Sequence, residues 1–336
     1  MKRNMKEWMK NVLEADRKKP IPILGFPIAT KMGLTVTELL ADPDTQAKGM
    51  GLLAEEVDCW AALTYMDLSV EAEAFGCKVE FADDEVPNVP DAIVKTREDV
   101  EALKVPEVGA GRTQLYVDGC AKALDTVTNK PVLAGCIGPF SLAGRLMDIG
   151  DLVIKCKKDP ETVHILLEKC TEFIIKYVKA YKAAGANGVA MAEPLAGLMK
   201  PAMLKEFSSE YVKRIVDEVQ DEYFCVVYHN CGGSTIKSVD EIVYCGAAGY
   251  HFGNAIDMSK MIELMPEDII TMGNVDPAVE FCNGTPESIR EATLDIMEKC
   301  CSHKNFVISS GCDIPAHSPW ENIHAFFDAV DEYYNR

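Results

Sequence analysis

His229 and Cys231 stand two residues apart in V-V-Y-H-N-C-G-G, residues 226–233, and Cys312 stands in S-G-C-D-I-P, residues 310–315. Imidazole and thiolate are common zinc ligands. One His and two Cys give three protein ligands with a fourth position free, the arrangement of a catalytic rather than a closed structural zinc. The spacing alone decides nothing, because 13 Cys and 6 His among 336 residues make some H-x-C pair an ordinary accident. The question is whether the surrounding elements bring these residues to one point.

Short apolar runs, many of them β-branched, recur along the chain and end in Gly, Pro, Asn or Asp. They begin at Pro20 (PIPILGFP), Trp60 (WAALTYMD), Pro131 (PVLAGCIGPF), Asn187 (NGVAMAEP), Tyr223 (YFCVVYHNCGG), Ala248 (AGYHFGN), Ile269 (IITMGNVDP) and Asn305 (NFVISSGCDIP). Helical patterns lie between them. Asp159-Pro160-Glu161 opens one that Gly185 stops, PAMLKEFSSEYVKRIVDEVQ forms another, and Thr285-Pro286-Glu287 opens a third. Strands that alternate with helices and are apolar almost throughout call for a parallel sheet covered by helices. About eight such units predict an α/β fold of the (β/α)8 TIM-barrel type, with a doubly wound open sheet as the alternative. No linker divides residues 1–336, so a single domain is expected, with an insertion after the second strand at about residues 69–130 that could roof the barrel mouth.

A barrel gives the ligand residues a meaning, since chemistry in this architecture sits at the C-terminal ends of the strands. Residues two apart on an extended segment point the same way, so His229 and Cys231 can face one point above the barrel axis, and Cys312 emerges at the same rim after the last strand. Other run ends add candidates. Glu193, in A-E-P beside the strand of His229, is a candidate fourth ligand or a base for an incoming thiol, and Asp67, in T-Y-M-D, is a second candidate catalytic carboxylate. Such a carboxylate can also be structural, capping a helix or pairing with Lys200 or Arg145; capping is the favoured reading for Asp276. His251 and His317 could support ligands or face substrate. Ten other cysteines, Cys282 among them, read as small core residues.

Composition narrows the class. A net charge of −19 argues against nucleic acid, whose phosphates need Lys and Arg. The N-terminus is charged and amphipathic without an apolar signal core, no run approaches the length of a membrane span, and the cysteines lack a secreted framework. A cytoplasmic protein with free thiols and no membrane association is expected.

Five motifs in order, G-P-F-S-L-A-G at 138–144, A-E-P at 192–194, H-N-C-G at 229–232, G-N-V-D-P at 273–277 and S-G-C-D-I-P at 310–315, resemble the uroporphyrinogen decarboxylase superfamily over nearly the whole chain. The resemblance is closest to its methyltransferase branch, typified by methylcobamide:coenzyme M methyltransferases. It implies a (β/α)8 barrel and a zinc held by His229, Cys231 and Cys312. It also implies a zinc-dependent, corrinoid-linked methyltransferase, in which a zinc-bound thiolate, coenzyme M or a similar small thiol, attacks the methyl group of a corrinoid (methylcobamide) on a partner corrinoid protein. The alternatives are transfer from a methoxylated or methylamine donor to the corrinoid protein, and a uroporphyrinogen decarboxylase or a non-catalytic homologue. The decarboxylases resemble one another in an arginine-rich segment after the first strand. Here that segment reads G-F-P-I-A-T-K-M-G, with Lys31 alone to meet a polycarboxylate.

Overall fold

A computed structural model describes residues 2–336. Seven parallel strands form one sheet in sequential order: β1 Ala62–Leu63, β2 Val132–Ile137, β3 Gly188–Ala192, β4 Cys225–Asn230, β5 Gly249–Phe252, β6 Ile270–Val275 and β7 Phe306–Ser310. Helices connect successive strands. Sequential parallel order requires every crossover to step the same way, which curls the sheet and keeps the helices on its outside.

The near-continuous apolarity of the strands follows from this arrangement, and each face has its own core. Leu63, Leu133, Ala190, Val227, Met272 and Val307 fill the inner face. The alternate residues, such as Ala134, Val189, Val226, Tyr250 and Ile308, pack outward against the helices. The amphipathic N-terminal helix Met5–Glu14 turns Met5, Trp8 and Val12 into the inner cluster and closes one end of it. The helix Pro160–Ala184 begins and ends as its sequence requires, with Asp159 accepting from the Thr162 amide and Gly185 taking the left-handed conformation at φ 105°. The expected helix from Pro201 forms with one widened turn at Lys205–Ser209. No helix among the described residues is long and apolar enough to cross a membrane.

The first expected strand, at Pro20, is not one. Residues 20–25 form no regular element and make only isolated hydrogen bonds at the two edges of the sheet. The Ile21 amide donates to the Ile308 carbonyl of β7 (3.2 Å), and the Trp60 amide donates to the Pro20 carbonyl (3.2 Å). Pro20 and Pro22 have no N–H, so a regular ladder cannot form through them.

The segment from 69 to 130 contains the helices Val70–Ala74, Arg97–Ala102 and Thr113–Thr126. Arg112, at the start of the last of these, ties the segment to the loop after β1. Its guanidinium donates to Asp67 Oδ2 (2.5 Å), Glu73 Oε2 (2.7 Å) and Ser69 Oγ (2.7 Å), and Tyr116 adds a hydroxyl to Asp67 Oδ2 (2.6 Å). The Asp67 side chain is fully buried and that of Arg112 is 14% exposed. Removing one partner of such a pair strands the other charge in a dry site. Arg112→Ala should therefore lower unfolding stability by about 3 kcal/mol in a denaturant titration, the lower end of the range for broken buried pairs. A loss below about 1 kcal/mol, the size of an exposed pair, would show that solvent reaches Asp67.

Candidate metal centre

Parallel register brings the reactive residues together. Ala192 of β3, His229 of β4 and His251 of β5 lie side by side in the sheet. His229 occupies an inward position, in line with Val227 and Cys225 of the inner core. Cys231 follows the last residue of β4, and Cys312 follows β7 after the single residue Gly311. His229, Cys231 and Cys312 each present one ligand atom, and these atoms all lie within 4.8 Å of one another. His229 Nε2 and Cys312 Sγ are 3.6 Å apart. Zinc bonds of about 2.0–2.1 Å to nitrogen and 2.3 Å to sulfur, at a tetrahedral angle, put the two ligand atoms about 3.6 Å apart. The spacing fits that ion.

The two thiols differ in how readily they ionise. A hydrogen bond from Cys312 pulls the Cys231 thiol down to about 7, against the opposing effect of burial. The same bond, together with burial, pushes Cys312 up to about 12. Cys231 is thus the thiol that gives up its proton more readily, and a cation bound between the sulfurs would take the place of the protons lost.

The loops that carry the ligands are fixed by groups the sequence reading passed over. Asn230, between the two ligands of H-N-C, points to the other face and is fully buried. Its Nδ2 donates to the Glu193 carbonyl (2.9 Å) and the Tyr228 hydroxyl (3.1 Å), while its Oδ1 accepts from the Gly232 amide (2.9 Å) and Thr235 Oγ1 (3.0 Å). Close approach of backbones does the rest. A Cβ on Gly253 would lie 2.5 Å from Cα and Cβ of Cys231, and one on Gly311 would lie 2.6 Å from the Asn254 nitrogen.

Below the ligands, His229 Nδ1 lies 2.7 Å from Nδ1 of His251, whose Nε2 lies 2.7 Å from Ser309 Oγ. Ser309 in turn donates to the Ile21 carbonyl (2.7 Å). Burial first, and then the neighbouring His229, holds His251 far below the usual imidazole range, so it stays neutral. A cavity of about 20 Å³ adjoins the pair on the inner face, lined by apolar side chains including Trp8, Leu133 and Met272. That is room for one water, without free polar partners to hold it.

Glu193 is not part of this group. It follows inward-facing Ala192, so its side chain points outward, to the start of the helix Pro139–Leu146. There its carboxylate accepts from the Ser141 amide (2.9 Å) and from Ser208 Oγ (2.6 Å) in the widened turn. Burial pushes it up to about 7 against those hydrogen bonds. The expectation of a fourth ligand or thiol base at Glu193 fails on alternation. The motif G-P-F-S instead builds its cradle, since a Cβ on Gly138 would sit 2.1 Å from Glu193 Cγ. Asp67 is likewise engaged, by Arg112 and not by Lys200 or Arg145, the partners that the structural alternative named, and both of its oxygens are bonded. Asp276 caps its helical turn as expected, accepting from the amides of Ala278 and Val279. Cys282 is not a core residue: it is partly exposed and lies 3.1 Å from His317 Nε2. Lys31 is bound to Glu56 and stacked 4.1 Å over Trp320, so the one cation expected to meet a polycarboxylate is already committed.

Gly253→Ala should displace Cys231 while leaving the sheet intact. The expected outcome is a folded protein, by circular dichroism, whose zinc affinity falls at least about tenfold, as for disturbed supports of metal ligands. Unchanged zinc affinity would mean that the Cys231 position does not govern binding.

The Uroporphyrinogen decarboxylase (URO-D) family model matches residues 23–333. The methylcobamide:CoM methyltransferase MtbA of Methanosarcina acetivorans is 30% identical over 275 residues, 80% of this chain and 78% of its own length. A uroporphyrinogen decarboxylase of Psychromonas ingrahamii is 28% identical over 287 residues, 82% of this chain and 79% of its own. Among solved structures, a methyltransferase from Methanosarcina mazei superposes with a TM-score of 0.85 at 22% identity, over 98% of this chain and 99% of that one. A parallel sheet with sequential strand order, a match across almost the full length and these relatives agree: the chain belongs to the uroporphyrinogen decarboxylase family.

Proposed function

We propose that this protein is a zinc-dependent, corrinoid-linked methyltransferase that passes a methyl group from a methylated corrinoid protein to a small thiol of the coenzyme M kind. The observation that carries the reading is the convergence of His229, Cys231 and Cys312, with a nitrogen–sulfur spacing suited to zinc. Two thiolates and a neutral imidazole would hold a formally neutral zinc, which supplies modest Lewis acidity and stabilises a substrate thiolate at neutral pH. In the transfer, a sulfur electron pair forms the new S–CH3 bond. The Co–CH3 bond breaks with its pair left on cobalt, which goes formally from Co(III) to Co(I).

The chain's own groups serve the ligands. Asn230 pins the loop that carries Cys231, and buried, neutral His251 supports the ring of His229. Relatives in the family include both methyltransferases and decarboxylases. Commitment of Lys31 to Glu56 and Trp320 favours the first activity, because a substrate with several carboxylates would find little here to neutralise it. The reading treats residues 1–336 as one domain, a barrel in which segment 20–25 serves as the eighth stave, with an insertion at about 69–130, working in the cytoplasm.

Purified wild-type protein should contain one zinc per chain under reducing conditions, and Cys312→Ser should lose most of it. With 2-mercaptoethanesulfonate as the thiol, the wild type should demethylate methylcobalamin slowly and the variant should not. Equal zinc in both proteins, or none in either, would refute the assignment.

A further inference from the structure

The hydrogen bonds from His229 to Ile21 can run in only one direction. A carbonyl only accepts, so the single hydroxyl proton of Ser309 is spent on Ile21 at 2.7 Å. Among the described residues no backbone N–H reaches that carbonyl, so without Ser309 it would be a buried acceptor left unpaired. Ser309 Oγ must then accept from His251 Nε2, which therefore carries a proton, and the apolar side chains that line this face offer no acidic partner for a second proton on the ring. His251 Nδ1 is left as a lone pair, and at 2.7 Å it can only accept from His229 Nδ1–H. The remaining nitrogen of His229, Nε2, is bare and faces the thiol of Cys312.

We infer that His251 and Ser309 are positioning residues: anchored on the Ile21 carbonyl, they fix the tautomer and the orientation of His229, so that its Nε2 lone pair is aimed at the sulfurs of Cys231 and Cys312 before any ion arrives. The inference rests on the metal reading for its consequence, although the tautomer itself is a property of the metal-free chain. The surroundings enforce it. The adjoining cavity is apolar, so no water competes as donor or acceptor, and an apolar replacement at 251 would leave His229 Nδ1–H with nothing to bond. The anchor also explains why segment 20–25 matters to a site some two hundred residues away. Its carbonyl sets the sense of the whole chain of hydrogen bonds.

Nitrogen–proton correlation spectra of the metal-free protein, selectively labelled with 15N-histidine, read the tautomers directly, with the His229 and His251 signals assigned from single-residue variants. The expected spectra show His229 protonated at Nδ1 and His251 at Nε2; a His229 protonated at Nε2 overturns the inference. Zinc affinity by competition with a chromophoric chelator gives the consequence. His251→Leu should bind zinc about 10–100-fold more weakly. His251→Asn, whose Oδ1 can accept from Nδ1–H, should recover most of that loss. Equal affinity for wild type and His251→Leu would overturn the positioning role. Should the leucine variant fail to fold, the asparagine variant and the tautomer spectra still decide. A wild type that binds no zinc yet shows the stated tautomers would sink the metal reading alone.

Discussion

Two imidazole nitrogens 2.7 Å apart on the apolar inner face of the sheet have room for one proton between them and no more. This contact organises the site. It exists because the parallel register sets His229 beside His251 at inward positions on neighbouring strands. It is dry because the inner cluster, closed by Trp8 and Met5 of the first helix, leaves little space below it. A charge on His251 would be costly there, and burial keeps that ring's affinity for a second proton low. The upper nitrogen of His229 is then the only part of the pair open to chemistry, and it meets two cysteines.

The outer face of the sheet carries a separate buried acid. Glu193 sits between the Ser141 amide and the Ser208 hydroxyl, over a glycine that leaves just enough room for it. Through its backbone it is joined to the segment that carries His229 and Cys231, because its amide donates to the His229 carbonyl (2.9 Å) and its carbonyl accepts from Asn230. The inner and outer faces of β3 and β4 are thereby locked in one register. A carboxylate that resembled a reactive group in the sequence is part of the frame.

Most of the architecture was legible in the chain. Runs ending in Gly, Pro, Asn or Asp marked β2 to β7, and strand-end reasoning brings Cys312 to His229 and Cys231 across 80 intervening positions or more. What escaped had identifiable causes. The run at Pro20 has strand composition, but its prolines remove ladder donors, so it joins no ladder. A run end alone does not say which face Glu193 takes, and alternation turns the residue after Ala192 outward. Asp67 found Arg112, from a helix whose position no local pattern could give. Cys282 was read from apolar neighbours, but the turn that follows β6 leaves it at the surface near His317. Ser309 was invisible as a functional residue, since its role depends on a carbonyl nearly three hundred residues earlier.

The central claim is that three side chains hold a metal with one position left for a substrate sulfur. Zinc K-edge X-ray absorption on the zinc-loaded protein tests this most directly. The account predicts two sulfur ligands near 2.3 Å and two nitrogen or oxygen ligands near 2.0–2.1 Å, one of these from water. Addition of the substrate thiol should replace that light ligand by a third sulfur. A spectrum with four protein ligands, or one in which no thiol ever adds a sulfur to the zinc, would contradict it.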